Sequence, residues 1–223
     1  MRATIASELA GSTNEALAHV YNDIAAYYSA KVARFGATPN GVDWTCQATQ
    51  ELRFVQLLKL CDFSSPFSLN DYGCGYGALI AYLDRRHRGC AVDYLGIDVS
   101  HAMVRRARQK WREHNGAAFV LGHASPRTAD YAVASGIFNV ARTQKRQDWE
   151  RFIAATLDDL HCTTARGFAV NFMKQRPPAA RRDGLYTTDT ASWARHCATR
   201  FNSTAEVHEG YGLMEFTLIV RKL

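Results

Sequence analysis

The sequence predicts an α/β domain in which strands and helices alternate, with a helical segment on its N-terminal side, and three observations carry that prediction. The first is Ser68-Leu69-Asn70-Asp71-Tyr72-Gly73-Cys74-Gly75-Tyr76-Gly77-Ala78-Leu79-Ile80, which reads as strand, glycine turn and helix. Glycines at 73, 75 and 77 let the backbone take positive φ and approach a ligand closely, and the following helix points its N-terminus at the turn. The second is Ala91 to Ile97, a strand that delivers Asp98 to its carboxyl end, about where nucleotide-binding folds place an acid for ribose hydroxyls. Asp98 could also serve as a cap for the helix that begins near Ser100. The third is the continued alternation of strand and helix patterns as far as Phe172.

These residues resemble the class I S-adenosylmethionine-dependent methyltransferases. Asp71-Tyr72-Gly73-Cys74-Gly75-Tyr76-Gly77 is similar to that family's first motif, Leu95-Gly96-Ile97-Asp98-Val99-Ser100 with Met103 to its second, and Ala129 to Gly136 to its fourth-strand motif. The nicotinamide fingerprint needs its third glycine one residue later, and that spacing is not met. The resemblance spans roughly residues 50 to 221. It implies a Rossmann-like sheet of seven strands in the order 3-2-1-4-5-7-6 with helices on both faces, S-adenosylmethionine as cofactor and S-adenosylhomocysteine as product. It further implies cofactor contacts from Asp71, Gly73, Cys74, Gly75, Gly77, Asp98, Val99, Met103 and Ser135.

Composition bounds the rest. The chain has 223 residues, enough for one domain of ordinary size with an appendage, and 47% of them are apolar. No apolar run approaches the ~20 residues of a membrane span, and the opening residues lack the apolar centre of a signal peptide, so a cytoplasmic protein is expected. Six cysteines form no C-x-x-C pair or His/Cys cluster, so no metal site is expected. The net charge of +6 admits a nucleic-acid partner. Its distribution argues against one, because Arg85-Arg86-His87-Arg88 ends a helix and Arg105, Arg106, Arg108 and Lys110 lie on the polar face of the next.

From the start of the chain, Ser12-Thr13-Asn14-Glu15 has capping-box spacing, and Leu17, Val20, Tyr21, Ile24 and Tyr28 recur at helical intervals, predicting a helix over about 13–34. By resemblance, residues 1–48 form a helical lid over a core of residues 49–223, with its tyrosines closing the site and Lys31 directed at the cofactor's carboxylate. Trp44 ends a Gly/Pro-rich connection and is a candidate substrate contact. A helix over 51–60 would bury Leu52, Phe54, Val55, Leu57 and Leu58, leaving Arg53 for the methionyl carboxylate or for a surface ion pair. Ser64-Ser65-Pro66 then breaks the chain.

Beyond Asp98, a helix with Met103, Val104, Ala107 and Trp111 on one face would end at Asn115-Gly116. Ala117 to Leu121 reads as the third strand. The family commonly has an acid just after it for the adenine amine; here His123 and Ala124 stand there, leaving that contact to a backbone carbonyl. After the fourth strand, Tyr131 to Ala134, the family geometry puts Phe138 and Asn139 beside the acceptor. No Asn- or Asp-Pro-Pro-aromatic motif of base-amine methyltransferases is present.

Trp149, Phe152, Ile153, Thr156, Leu157 and Leu160 mark the next helix and Phe168 to Phe172 the fifth strand. The polar excursion from Met173 to Thr190 is long enough to carry function, and Arg181 with Arg182 there would suit an anionic acceptor. Phe201 to His208 and Leu213 to Val220 read as a hairpin. The expected activity is methyl transfer to O or N of a small molecule, with Tyr28, His208 and Tyr211 as candidate bases or with no dedicated base. An RNA or protein methyltransferase and a non-catalytic cofactor-binding module are the alternatives.

Overall fold

The computed structural model describes residues 2–175, 177 and 182–223, with side chains described from Glu15 onward. Helix α1 (Arg2–Phe35) leads through a 3-10 turn (Pro39–Val42) to α2 (Gln47–Leu57), which tightens into a second such turn (Leu58–Leu60). The alternation then runs β1 (Phe67–Tyr72), α3 (Ala78–Arg86), β2 (Val92–Asp98), α4 (His101–Lys110), β3 (Ala117–Leu121), β4 (Ala129–Ala134), α5 (Arg146–Cys162) and β5 (Thr164–Met173). Helix α6 (Ser192–Phe201), β6 (Ser203–His208) and β7 (Glu215–Lys222) complete it. The seven strands form one sheet in the order β3-β2-β1-β4-β5-β7-β6, as the resemblance implied. Strands β1 to β5 pair in parallel, and β7 joins antiparallel to both β5 and β6.

Side-chain alternation along the strands divides the core between the two faces. Ala132 and Ala134 of β4 look towards α5 and α6, packing with Trp149, Ile153, Leu157 and Trp193. Tyr131 and Val133 look the other way, towards Phe54 and Leu57 of α2, Leu79 and Leu83 of α3, and Val104 of α4. Each fully buried leucine or isoleucine in these layers contributes about 1.5–3 kcal/mol over its exposed state.

Several elements depart from their sequence expectation. Helix α1 begins at Arg2, so the Ser12-x-x-Glu15 box lies inside it; the preceding Ala, Glu and Leu residues favour helix, and Gly11 costs only about 1 kcal/mol there. Helix α2 turns Gln50, Arg53, Phe54 and Leu57 inward, while Val55 is exposed and Leu52 only partly covered. Helix α4 stops at Lys110, before Asn115-Gly116. Helix α6 occupies residues that carried no helical expectation. Among the described residues no helix is long and apolar enough to cross a membrane.

Candidate functional site

In a parallel sheet the loops beyond the strand carboxyl ends are brought together, and here they enclose a cavity. Its floor comes from the glycine turn after β1, Asp98 and Val99 after β2, Gly122 and His123 after β3, and Ser135 to Ile137 after β4. Tyr21, Ile24 and Tyr28 of α1 and Trp44 of the following loop roof it, and Phe152 and Thr156 of α5 close one side. The empty volume, counted out to the open mouth and including solvent space there, is about 960 Å³.

The turn after β1 is tied to β2. The N–H groups of Gly73 and Cys74 both donate to the Ile97 carbonyl, at 2.8 and 3.1 Å. Gly73 has φ +68°, and a Cβ there would stand 2.2 Å from Cγ2 of Ile137. The glycine therefore lets the loop after β4 close against the turn.

Asp98 is organised by backbone donors: Gly75 N–H bonds its Oδ2 at 2.9 Å and Ser100 N–H its Oδ1 at 2.8 Å. Ser100 itself caps α4, its hydroxyl accepting from Met103 N–H at 3.2 Å. Burial pushes the Asp98 carboxyl up to about 6, against those two N–H bonds. Asp71, 3% exposed, accepts from the Tyr94 hydroxyl at 2.5 Å and is pushed up to about 7 by burial, partly offset by that bond.

A second network braces the roof. Gly136 N–H donates to Asn171 Oδ1 at 2.7 Å, Asn171 Nδ2 to Glu215 Oε2 at 2.7 Å, and Arg53 Nε to the same oxygen at 2.8 Å. Arg53 Nη1 also donates to the Thr49 carbonyl. The Arg53 guanidinium lies 3.7 Å from the Trp44 ring centroid, a cation–π distance. Trp44 in turn packs on Gly136, where φ is +75° and a Cβ would sit 2.3 Å from the indole. The contacts close into a ring that holds Trp44 over the carboxyl end of β4.

Between Tyr21 and Lys31, helix α1 is seated by side-chain contacts. The Tyr21 ring stacks on His123 at 4.3 Å and meets Phe152 edge-on at 5.5 Å. Ser29 and Ser100 hydroxyls are 2.8 Å apart, Gln144 donates to Asp23, and Lys31 pairs with Asp43.

The cavity thus gathers Tyr28, Trp44, Asp71, Gly73, Cys74, Gly75, Asp98, Val99, Met103, His123 and Ser135 from the residues singled out by sequence. Gly77 faces away, against the Trp111 indole, and Ala124 is exposed outside the lining. Lys31 and Arg53 are already paired, with Asp43 and Glu215, and neither lines the cavity. Phe138 is fully buried and stacked on Phe172, and Asn139 is 4% exposed; the positive-φ turn at Gly136 carries both into the core, leaving Ile137 at the site. Arg182 is exposed and away from the lining, and Arg181 lies outside the described residues.

The three candidate bases are not brought together. Tyr28 reaches the cavity, but burial and the Asp43 carboxylate hold its phenol far above the ordinary range, so it stays protonated at neutral pH. His208 Nε2 lies 3.5 Å from Glu206, and the Tyr211 hydroxyl 3.2 Å from Thr217, both outside the lining. Sequence reasoning passed over Gln50, Phe54, Tyr76, Ile137, Phe152 and Thr156. Tyr76 sits inside the glycine triplet and was the most accessible of these; Phe152 and Thr156 follow the same period as the helix core.

Residues 70–160 match a family described as a methyltransferase domain. A Mycobacterium tuberculosis protein named "Putative methyltransferase Rv1506c" is 42% identical over 166 residues, covering 74% of this chain and 99% of its own. Among solved structures, a DhpI–S-adenosylhomocysteine complex superposes with a TM-score of 0.61 at 13% identity, covering 91% of this chain and 96% of that one. Magnesium protoporphyrin IX methyltransferase from Synechocystis PCC 6803, with bound S-adenosylhomocysteine, gives 0.58 at 15% identity, over 79% of this chain and 83% of its own. Human N-acetylserotonin methyltransferase, in complex with S-adenosylmethionine, gives 0.57 at 17%, over 79% and 54%.

Proposed function

The chain belongs to the class I S-adenosylmethionine-dependent methyltransferases, and from that premise we propose that it methylates an oxygen or nitrogen of a small molecule beneath a lid formed by residues 1–48. The observation that carries the reading is the Asp98 carboxylate at the end of β2. Gly75 and Ser100 fill two of its acceptor positions, which leaves two for a ribose diol. Two of the similar structures are named for small-molecule acceptors, N-acetylserotonin and magnesium protoporphyrin IX.

The residues present fit the cofactor. Asp98 would hold the ribose, and Asp71 and the turn at Gly73 to Gly75 the amino-acid end, while Val99, Met103 and His123 would flank the base. When bound, S-adenosylmethionine supplies a methyl group already activated by its sulfonium. Trp44, Ile137 and Ser135 then orient the acceptor, and the roof of α1 keeps water away. Positioning of this kind supplies much of the rate without a dedicated base.

Calorimetry with S-adenosylhomocysteine tests the assignment. Asp98→Ala removes two charged hydrogen bonds worth about 1.5–3 kcal/mol each, so affinity falls at least tenfold. Undiminished affinity in a folded Asp98→Ala protein would refute the role of Asp98.

A further inference from the structure

Resting on the methyltransferase reading, we propose that the acceptor is an uncharged, largely apolar or aromatic molecule that presents one hydroxyl or weakly basic nitrogen, and that acids and phosphates are excluded. The charge inventory of the cavity points there. Its lining contains two carboxylates, Asp71 and Asp98, and among the described residues that line it none is lysine or arginine. Lys31 on α1 and Arg53 against Trp44 are already matched, by Asp43 and Glu215. The cofactor brings one net positive charge of its own, less than the two carboxylates carry when ionised, so the loaded site holds no excess positive charge for an anion. An acid or phosphate would add a negative charge with no side-chain cation to meet it, at a high desolvation cost. A cationic acceptor would face the sulfonium at close range.

The shape chemistry agrees. Away from the nucleotide-type contacts, the walls include Ile24, Tyr28, Trp44, Ile137 and Phe152 beside Gln50 and Thr156, a mostly apolar surface suited to a ring or a hydrocarbon. The Ser135 hydroxyl adds a polar contact among them: its oxygen is buried and has no hydrogen-bond partner. One donor or acceptor on the ligand would satisfy it, which orients an otherwise apolar molecule.

Three matched probes test this on the wild-type protein loaded with S-adenosylhomocysteine: 2-naphthol, 2-naphthoate and 2-naphthyl phosphate, titrated by calorimetry at pH 8. The naphthol is expected to bind at least tenfold more tightly than either anion. Equal or tighter binding of an anion overturns the proposal, and so does failure of all three to bind. Ile24→Lys places a cation in the wall and is expected to move the preference towards naphthoate at least tenfold; an unmoved preference in a folded variant also overturns it. Failure of the wild type to bind S-adenosylhomocysteine in the loading step would instead count against the cofactor reading beneath it.

Discussion

Asp71 and Asp98, two buried carboxylates in one cavity, make folding stability depend on pH. Both are raised by burial, from 3.8 to about 7 and about 6. A carboxyl whose folded pKa exceeds its unfolded value binds protons more tightly when folded. The folded state therefore holds the extra protons between about pH 4 and pH 7, stability falls as pH rises through that window, and it stays lower above it. Asp71→Asn keeps an acceptor for the Tyr94 hydroxyl and removes the charge. In urea unfolding at pH 8 without cofactor, it is expected to be more stable than wild type by on the order of 2–4 kcal/mol, with the gain gone near pH 4. An equal effect at both pH values would show that ionisation is not the cause. Gly136 is the second residue with a sharp consequence. Gly136→Ala combines a left-handed φ with a Cβ driven into the Trp44 ring, so a loss of about 1–3 kcal/mol is expected, with altered tryptophan fluorescence. Unchanged fluorescence would mean that the indole does not rest there in solution.

At the scale of elements, α1 is held by contacts that a bound ligand would reinforce: the Tyr21–His123 stack, the Ser29–Ser100 hydroxyl pair and the Gln144–Asp23 bond. Amide hydrogen exchange over residues 15–35 is expected to slow when S-adenosylhomocysteine binds. Equal protection with and without ligand would make α1 a static packing element. Helices α3 to α5 were legible from their helical periods and the central strands from short runs buried on both faces; β3 falls at Ala117–Leu121 as expected, and Asp98 sits at the end of β2. Helix α6 was not legible, since Trp193, Cys197 and Phe201 are its sparse apolar markers among Arg, His and Thr. Phe152 and Thr156 were read as core for a related reason: a helix face looks the same in sequence whether protein or ligand covers it. The pairing of Arg53 was equally hidden, because its partner lies 162 residues away.

Across the whole molecule, that pairing joins α2 to β7 and, through Asn171 and Gly136, to the loop after β4. Glu215→Ala leaves Arg53 buried without its carboxylate and is expected to cost about 3–5 kcal/mol in urea unfolding. Arg53→Met combined with Glu215→Leu removes both charges and should recover a large part of that loss; a double variant as unstable as the sum of two singles would show that the groups do not act as a pair. The ring has a further consequence for how the protein is made. On the ribosome, Arg53 emerges long before its carboxylate, so the Trp44 roof cannot be locked until translation has passed residue 215 and β7 has been threaded between β5 and β6. A nascent chain arrested short of that point would leave the Arg53 guanidinium unmatched and Trp44 without the closed ring of contacts that seats it.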